Sequence, residues 1–232
     1  MKKIAFLIFI AAIAVGVCLA YATGNVGKAS PWFTFNFGSG IRGSGNIKTE
    51  TRDLPKFSAI DFGGAIDMEI TAQKDQKVEI ETDDNILPLI NTEVKDGILY
   101  ISNQQKISWH NPVKVRISVQ DLNALSISGA SKASAVDIKA DNFKLDASGA
   151  SKVKLAGEVN SLSAKASGAS RVEADNFKAV NATASASGAS KVLVFSTDSV
   201  DAEASGASNV TYFGNPKNVK KNSSGASSVS SN

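Results

Sequence analysis

Six copies of the tetrapeptide Ser-Gly-Ala-Ser leave this chain few folds to choose from. They lie at Ser128–Ser131, Ser148–Ser151, Ser167–Ser170, Ser187–Ser190, Ser205–Ser208 and Ser224–Ser227, at steps of 20, 19, 20, 18 and 19 residues. Self-similarity at a nearly constant period is the signature of stacked units, each burying against its neighbours a surface it could not bury alone. A step of about 19 residues is shorter than most helical repeats and close to one turn of a parallel β-helix.

Columns on either side of the motif alternate as strands do. Five residues after its first serine come Ala133, Val153, Val172, Val192, Val210 and Val229, and two further on Ala135, Leu155, Ala174, Val194, Tyr212 and Ser231. Just before the motif come Ile127, Ala147, Ala166, Ala186, Ala204 and Ser223, and two before these Leu125, Leu145, Ala164, Ala184, Ala202 and Lys221. Small or β-branched apolar residues therefore point one way and polar residues the other. Columns so rich in alanine imply a narrow interior without room for a ligand.

The motif itself is expected to be the corner of every coil. A repeated corner needs a backbone conformation that is costly with a Cβ and free to glycine. Gly129, Gly149, Gly168, Gly188, Gly206 and Gly225 are the structural turn residues, and Gly64 joins them as a seventh. The stretch Phe57–Ala65 matches Leu122–Ala130 position by position, an early and degenerate copy of the repeat. The neighbouring serines are small enough to stack and have hydroxyls for backbone groups or for each other. In the last copy Lys221 and Ser223 replace apolar residues, as expected of a coil that blunts the stack.

Upstream of the repeats, Ala65–Ala72, Val78–Thr82, Ile98–Ser102 and Val113–Val119 read as strands, with Asp96-Gly97 as a hairpin turn. Asp83–Pro88 and Asn103–Pro112 read as loops. The first residues read as a targeting segment. Lys2 and Lys3 precede an apolar run of 16 residues, Ile4–Leu19, and Ala20-Tyr21-Ala22 is an A-x-A cleavage signal. An uncleaved anchor is the alternative, and it would be the chain's sole contact with a membrane. Cys18 sits in this segment behind Val17, where a lipobox prefers a smaller residue. The expected organisation is a signal peptide at 1–22, a linker at 23–46 and one all-β domain at 47–232. Within it, 47–120 is a β cap and 121–232 the repeat coils. In the linker, Trp32, Phe33, Phe35 and Phe37 read as a short strand covering one end of the domain.

Beyond these patterns, the stretch Gly43–Ile60, reading GSGNIKTETRDLPKFSAI, followed by repeated Ser-Gly-Ala-Ser, resembles the head GIN domain family, which is labelled auto-transporter adhesin. The likeness runs from Asn46 to Ser227. It implies an exported bacterial envelope protein of β-helix-like coils, held in the periplasm, displayed on the surface or released. No translocator barrel is expected with these coils, a departure from the auto-transporter part of the label.

Composition excludes several functions. Without Lys2 and Lys3 there are 23 basic and 22 acidic residues, no excess of the kind a nucleic-acid binder carries. Removal of the leader would remove the single cysteine. His110 is the single histidine, beside Trp109 in a loop, so neither a metal cluster nor a Ser-His-acid triad has its ligands or its base. A serine repeated six times with the same neighbours is not a nucleophile. The acids of the repeats are scattered over different columns, and none is paired by sequence at a glycosidase separation. No catalytic, cofactor or metal site is expected.

One outward column stands out. Immediately before the valines lie Lys132, Lys152, Arg171, Lys191, Asn209 and Ser228. If the coils stack in register, four cations form a ladder for an anionic ligand such as an acidic glycan; a solvated face that resists aggregation is the plainer alternative. Three functions follow: a non-enzymatic adhesin or surface-binding module, a polysaccharide-active enzyme on the same scaffold, or a structural part of the envelope.

Overall fold

The computed structural model describes residues 40–103, 107–108 and 112–232. The expected leader, the aromatic run Trp32–Phe37, Trp109 and His110 lie outside these residues.

In chain order the strands are β1 (Ile41–Arg42), β2 (Ile47–Arg52), β3 (Ala59–Phe62), β4 (Ile66–Thr71), β5 (Lys77–Asp83), β6 (Ile90–Lys95), β7 (Ile98–Asn103), β8 (Ile107–Ser108), β9 (Val113–Ser118) and β10 (Ala124–Ile127). The repeat region supplies β11 (Lys132–Ala147), β12 (Lys152–Ala166), β13 (Arg171–Ala186), β14 (Lys191–Gly206), β15 (Asn209–Phe213), β16 (Asn218–Gly225) and β17 (Ser228–Ser231). A 3-10 turn at Leu87–Leu89 interrupts them. The protein is a β-solenoid of about five turns. Its repeat strands pair in parallel, each copy with the next.

Within each repeat coil, pairing breaks at three points. One is the Ser-Gly-Ala-Ser corner. Between β11 and β12 the others are a bulge between Ala135 and Ile138 and a bend at Asp141/Asn160. Each coil therefore has three straight stretches, whose outward rows form three faces. The changes in repeat length are absorbed away from the corner. Ala135 pairs Leu155, 20 residues on, but Ile138 pairs Gly157, only 19 on. Register shifts fall at the same place between β12 and β13 (Lys154/Ala156) and between β13 and β14 (Ala174/Lys178, then Ala179/Asn181). The first stretch and the corner never slip. The physical cause is the packing of the corner, described below, which leaves no slack.

The N-terminal portion covers one end of the stack but also extends it. β3 lies under β10 in register, Ala59 beside Ala124 and Phe62 beside Ile127, and β4 lies under β11. The coil formed by β7 and β9 lies on the far side of β3 and β4. The chain thus winds β3–β4, then the coil beneath it, and returns across Val119–Asn123 to start β10 above. Antiparallel strands close this end: β6 on β7 through the Asp96-Gly97 turn, with φ of 51° and 74°, β5 on β9, and β2 on β5. The expected loop after Asn103 contains β8, which pairs in parallel with β1, and the linker gives way to β2 at Ile47.

The core runs unbroken through both portions. Phe62, Ile60, Leu99, Leu125 and Leu145 fill the lower coils, and Ala164, Ala184, Ala202, Val172, Val192 and Val194 the upper ones, none more than 1% exposed. Alanine in one column is balanced by bulk in another. Phe143 and Phe177 meet edge to face with ring centres 5.3 Å apart. At the upper end Lys221 takes the place of an interior apolar residue, and its Nζ stands 4.7 Å from the centre of the Tyr212 ring.

Candidate functional site

The seven turn glycines lie over one another. All have positive φ: 110° at Gly64, 75° at Gly129, 76° at Gly149, 73° at Gly168, 75° at Gly188, 77° at Gly206 and 79° at Gly225. A Cβ on any of the upper six would fall 2.5–2.9 Å from the carbonyl oxygen of the glycine below. That approach lets the backbone hydrogen bonds continue round the corner, Ala150 N–H donating to Gly129 O at 2.8 Å and Ala169 N–H to Gly149 O at 2.7 Å. The last serine of the motif turns inward. Ser190 Oγ bonds Ser187 O at 2.9 Å and Ala166 O at 3.2 Å, and Ser170, Ser208 and Ser227 make the same two contacts. The first serine stays outside. Ser148, Ser167, Ser187, Ser205 and Ser224 line a groove of about 570 Å³ together with Asp146, Lys165 and Glu203.

Register places the four ladder cations side by side on the first face. Lys132 pairs Lys152, Lys152 pairs Arg171, and Arg171 pairs Lys191, with Asn209 and Ser228 following. The column continues downward through Asp67 to Lys114. The four cations are not equivalent. Glu173, one position along the same face, takes Arg171 Nε at 2.7 Å, Lys152 Nζ at 3.1 Å and Lys154 Nζ at 3.4 Å. Lys132 and Lys191 form no ion pair with a described residue. Burial by itself pushes the Glu173 carboxyl up, but hydrogen bonds from Arg171, Lys152 and Lys154 and the Lys152 charge outweigh it and hold the group below the ordinary carboxylate range.

Below the ladder the same face carries a second knot of charge. Arg116 Nη1 bonds Glu81 Oε2 at 3.0 Å and Arg116 Nε lies 3.7 Å from Glu69, while Lys114 lies 3.5 Å from Glu81. The hydrogen bond from Arg116 holds the Glu81 carboxyl low, against the opposing effect of burial. Between the two knots is a depression of about 470 Å³, lined among others by Lys132, Lys152, Lys154, Lys114, Asp67 and Glu69.

Sequence alone singled out the ladder but not Glu173 or Lys154, which sit in the next outward column among unlike residues (Ser134, Leu193, Thr211) and so carry no repeating signal. Among the described residues no cluster of three or more His, Cys, Asp or Glu is placed to hold a metal, and no helix is long and apolar enough to cross a membrane.

Residues 56–216 match the model of the family described as "Putative auto-transporter adhesin, head GIN domain". The chain belongs to this family. Solved structures share its fold. A "putative adhesin" from Bacteroides fragilis has 24% identity and a TM-score of 0.70, covering 83% of this chain and 100% of its own. A "putative lipid binding protein" from Parabacteroides distasonis has 20% identity and a TM-score of 0.55, covering 83% of this chain and 99% of its own. A "putative adhesin" from Parabacteroides merdae has 19% identity and a TM-score of 0.55, covering 83% and 98%. No curated protein sequence matches significantly. At these identities the likeness extends to the solenoid and not to a ligand.

Proposed function

We propose that this head GIN protein is a non-enzymatic adhesin, exported to the bacterial envelope, that attaches to a cell-surface or envelope component through the outer faces of its coils. The observation that carries this is the unslipping register of the first face. It presents like-charged side chains at one position per coil, about 4.8 Å apart, on a scaffold with a tightly filled core. Such a surface suits many weak contacts made together, where effective concentration replaces a deep pocket. The family name supports the same function, and the expected leader at 1–22 would be the route out of the cytoplasm.

The test is attachment and place. The tagged protein should fractionate with the envelope or the medium, and intact cells lacking it should adhere less to their surfaces than cells carrying it. Recovery from the cytoplasm alone, or unchanged adherence, would remove the proposal. A polysaccharide-active enzyme would instead release reducing ends from glycans, and a structural part would crosslink to an envelope neighbour without binding glycan.

A further inference from the structure

Charge along the repeat coils is sorted by face. Residues 132–206 contain nine Lys and Arg and nine Asp and Glu, and so are neutral as a whole. The first face has five of the cations (Lys132, Lys152, Lys154, Arg171 and Lys191) and a single carboxylate, Glu173. The second stretch with its two bends has the reverse: Asp137, Asp141, Glu158, Asp175 and Asp198 against Lys139 and Lys178. The third has Lys144 and Lys165 against Asp146, Asp201 and Glu203. Solubility needs charge but does not need it sorted. Mixed signs on each face would solvate the coils equally well and repel less.

We infer that the first face binds a linear polyuronate lying along the stack, with Lys132 and Lys191 as its open contacts and Glu173 as an internal competitor that occupies Lys152, Lys154 and Arg171 when the polymer is absent. This rests on the adhesin function and names its ligand class and site. The row is one cation wide and one coil apart, which fits a single chain bearing one carboxylate per sugar. Lysine, a compact charge on a flexible stem, adapts to carboxylates whose spacing only approximates the coil height. The outward neighbours Ser134 and Thr211 are polar, and Leu193, Phe195 and Phe213 are half-buried, so along the row itself charge rather than apolar surface meets a ligand. The acidic second stretch repels a polyanion from the flank and confines it to the one face.

Glu173 explains how so cationic a row remains compact. Its carboxylate neutralises part of the row in the free protein, and each ligand carboxylate that arrives has to displace it. Exchange of one carboxylate partner for another is nearly neutral at each site, so binding is weak per contact and depends on length.

The experiment uses the purified protein with polygalacturonate of several lengths, neutral dextran, and vesicles containing phosphatidylglycerol, at low and at physiological salt. The protein should bind polygalacturonate but not dextran or vesicles, more tightly as chain length grows and less tightly as salt is raised. The Lys132→Gln/Lys191→Gln double variant, which breaks no ion pair, should lose roughly three- to tenfold in affinity. Glu173→Gln should gain affinity, and Lys139→Gln/Lys178→Gln on the second stretch should leave it unchanged. No binding to polygalacturonate, binding to vesicles in its place, or unchanged affinity in the Lys132/Lys191 variant would overturn the inference. Weaker binding by a folded Glu173→Gln protein would overturn the competitor. Adherence of cells that persists without any polygalacturonate binding would overturn the ligand while leaving the adhesin function in place.

Discussion

Gly149 stands so close above Gly129 that a side-chain carbon on it would lie 2.6 Å from the lower carbonyl oxygen. Two constraints meet there. The φ of 76° disfavours any residue with a Cβ, and the obstructing atom is backbone that is itself hydrogen-bonded to the coil above.

Gly149→Ala should therefore cost about 2–4 kcal/mol, the sum of left-handed strain and a clash that only separation of coils relieves. Gly97→Ala is the control. Its φ of 74° is similar, but nothing lies within 4 Å of the added carbon, so about 1 kcal/mol is expected. Urea midpoints of the two variants measure the difference, and equal shifts would show that stacking adds nothing to strain.

The buried serines offer a second comparison. Ser190 and Ser151 are both 2% exposed, yet Ser190 Oγ has two backbone partners and Ser151 Oγ makes no hydrogen bond with a described residue. Ser190→Ala should destabilise by about 1 kcal/mol, whereas Ser151→Ala should be neutral or slightly stabilising, because it removes an unpaired buried hydroxyl. Thermal or urea unfolding of both variants checks the ordering.

The pH dependence of stability should report Glu173. Its carboxyl is held below the ordinary range in the folded protein, so its contribution is complete above the unfolded pKa of about 4.3 and disappears as pH falls through its depressed folded value. Glu173→Gln should thus be less stable than the parent near pH 6, and the gap should close as pH falls below the ordinary carboxylate range. A gap independent of pH would mean that the carboxylate's charge is not what holds Lys152, Lys154 and Arg171.

Much of the fold is legible in the chain itself because it is written repeatedly. The glycine corner and the alanine and valine columns recur in every copy, since each coil has to match the one below it. The match of Phe57–Ala65 to Leu122–Ala130 similarly reveals an extra coil, which the structure stacks beneath β10. The second bend carries no such signal. Asp137 at a φ of 60°, Gly157 at 140° and the three residues of β13 between Ala174 and Lys178 solve the same turn in different ways, because repeat lengths are reconciled there.

What the sequence by itself determined is the stacked β architecture, its glycine corner and the row of cations from Lys132 to Lys191, because a period is a one-dimensional property. Tertiary structure alone decided three other things: that the coil of β7 and β9 lies beneath an earlier one, that Glu173 forms ion pairs with Lys152, Lys154 and Arg171, and that charges balanced along the chain are unbalanced between faces. Each depends on which residues of different coils and columns come within a few ångströms, and that proximity follows from where the backbone bends and slips in register, not from order along the chain.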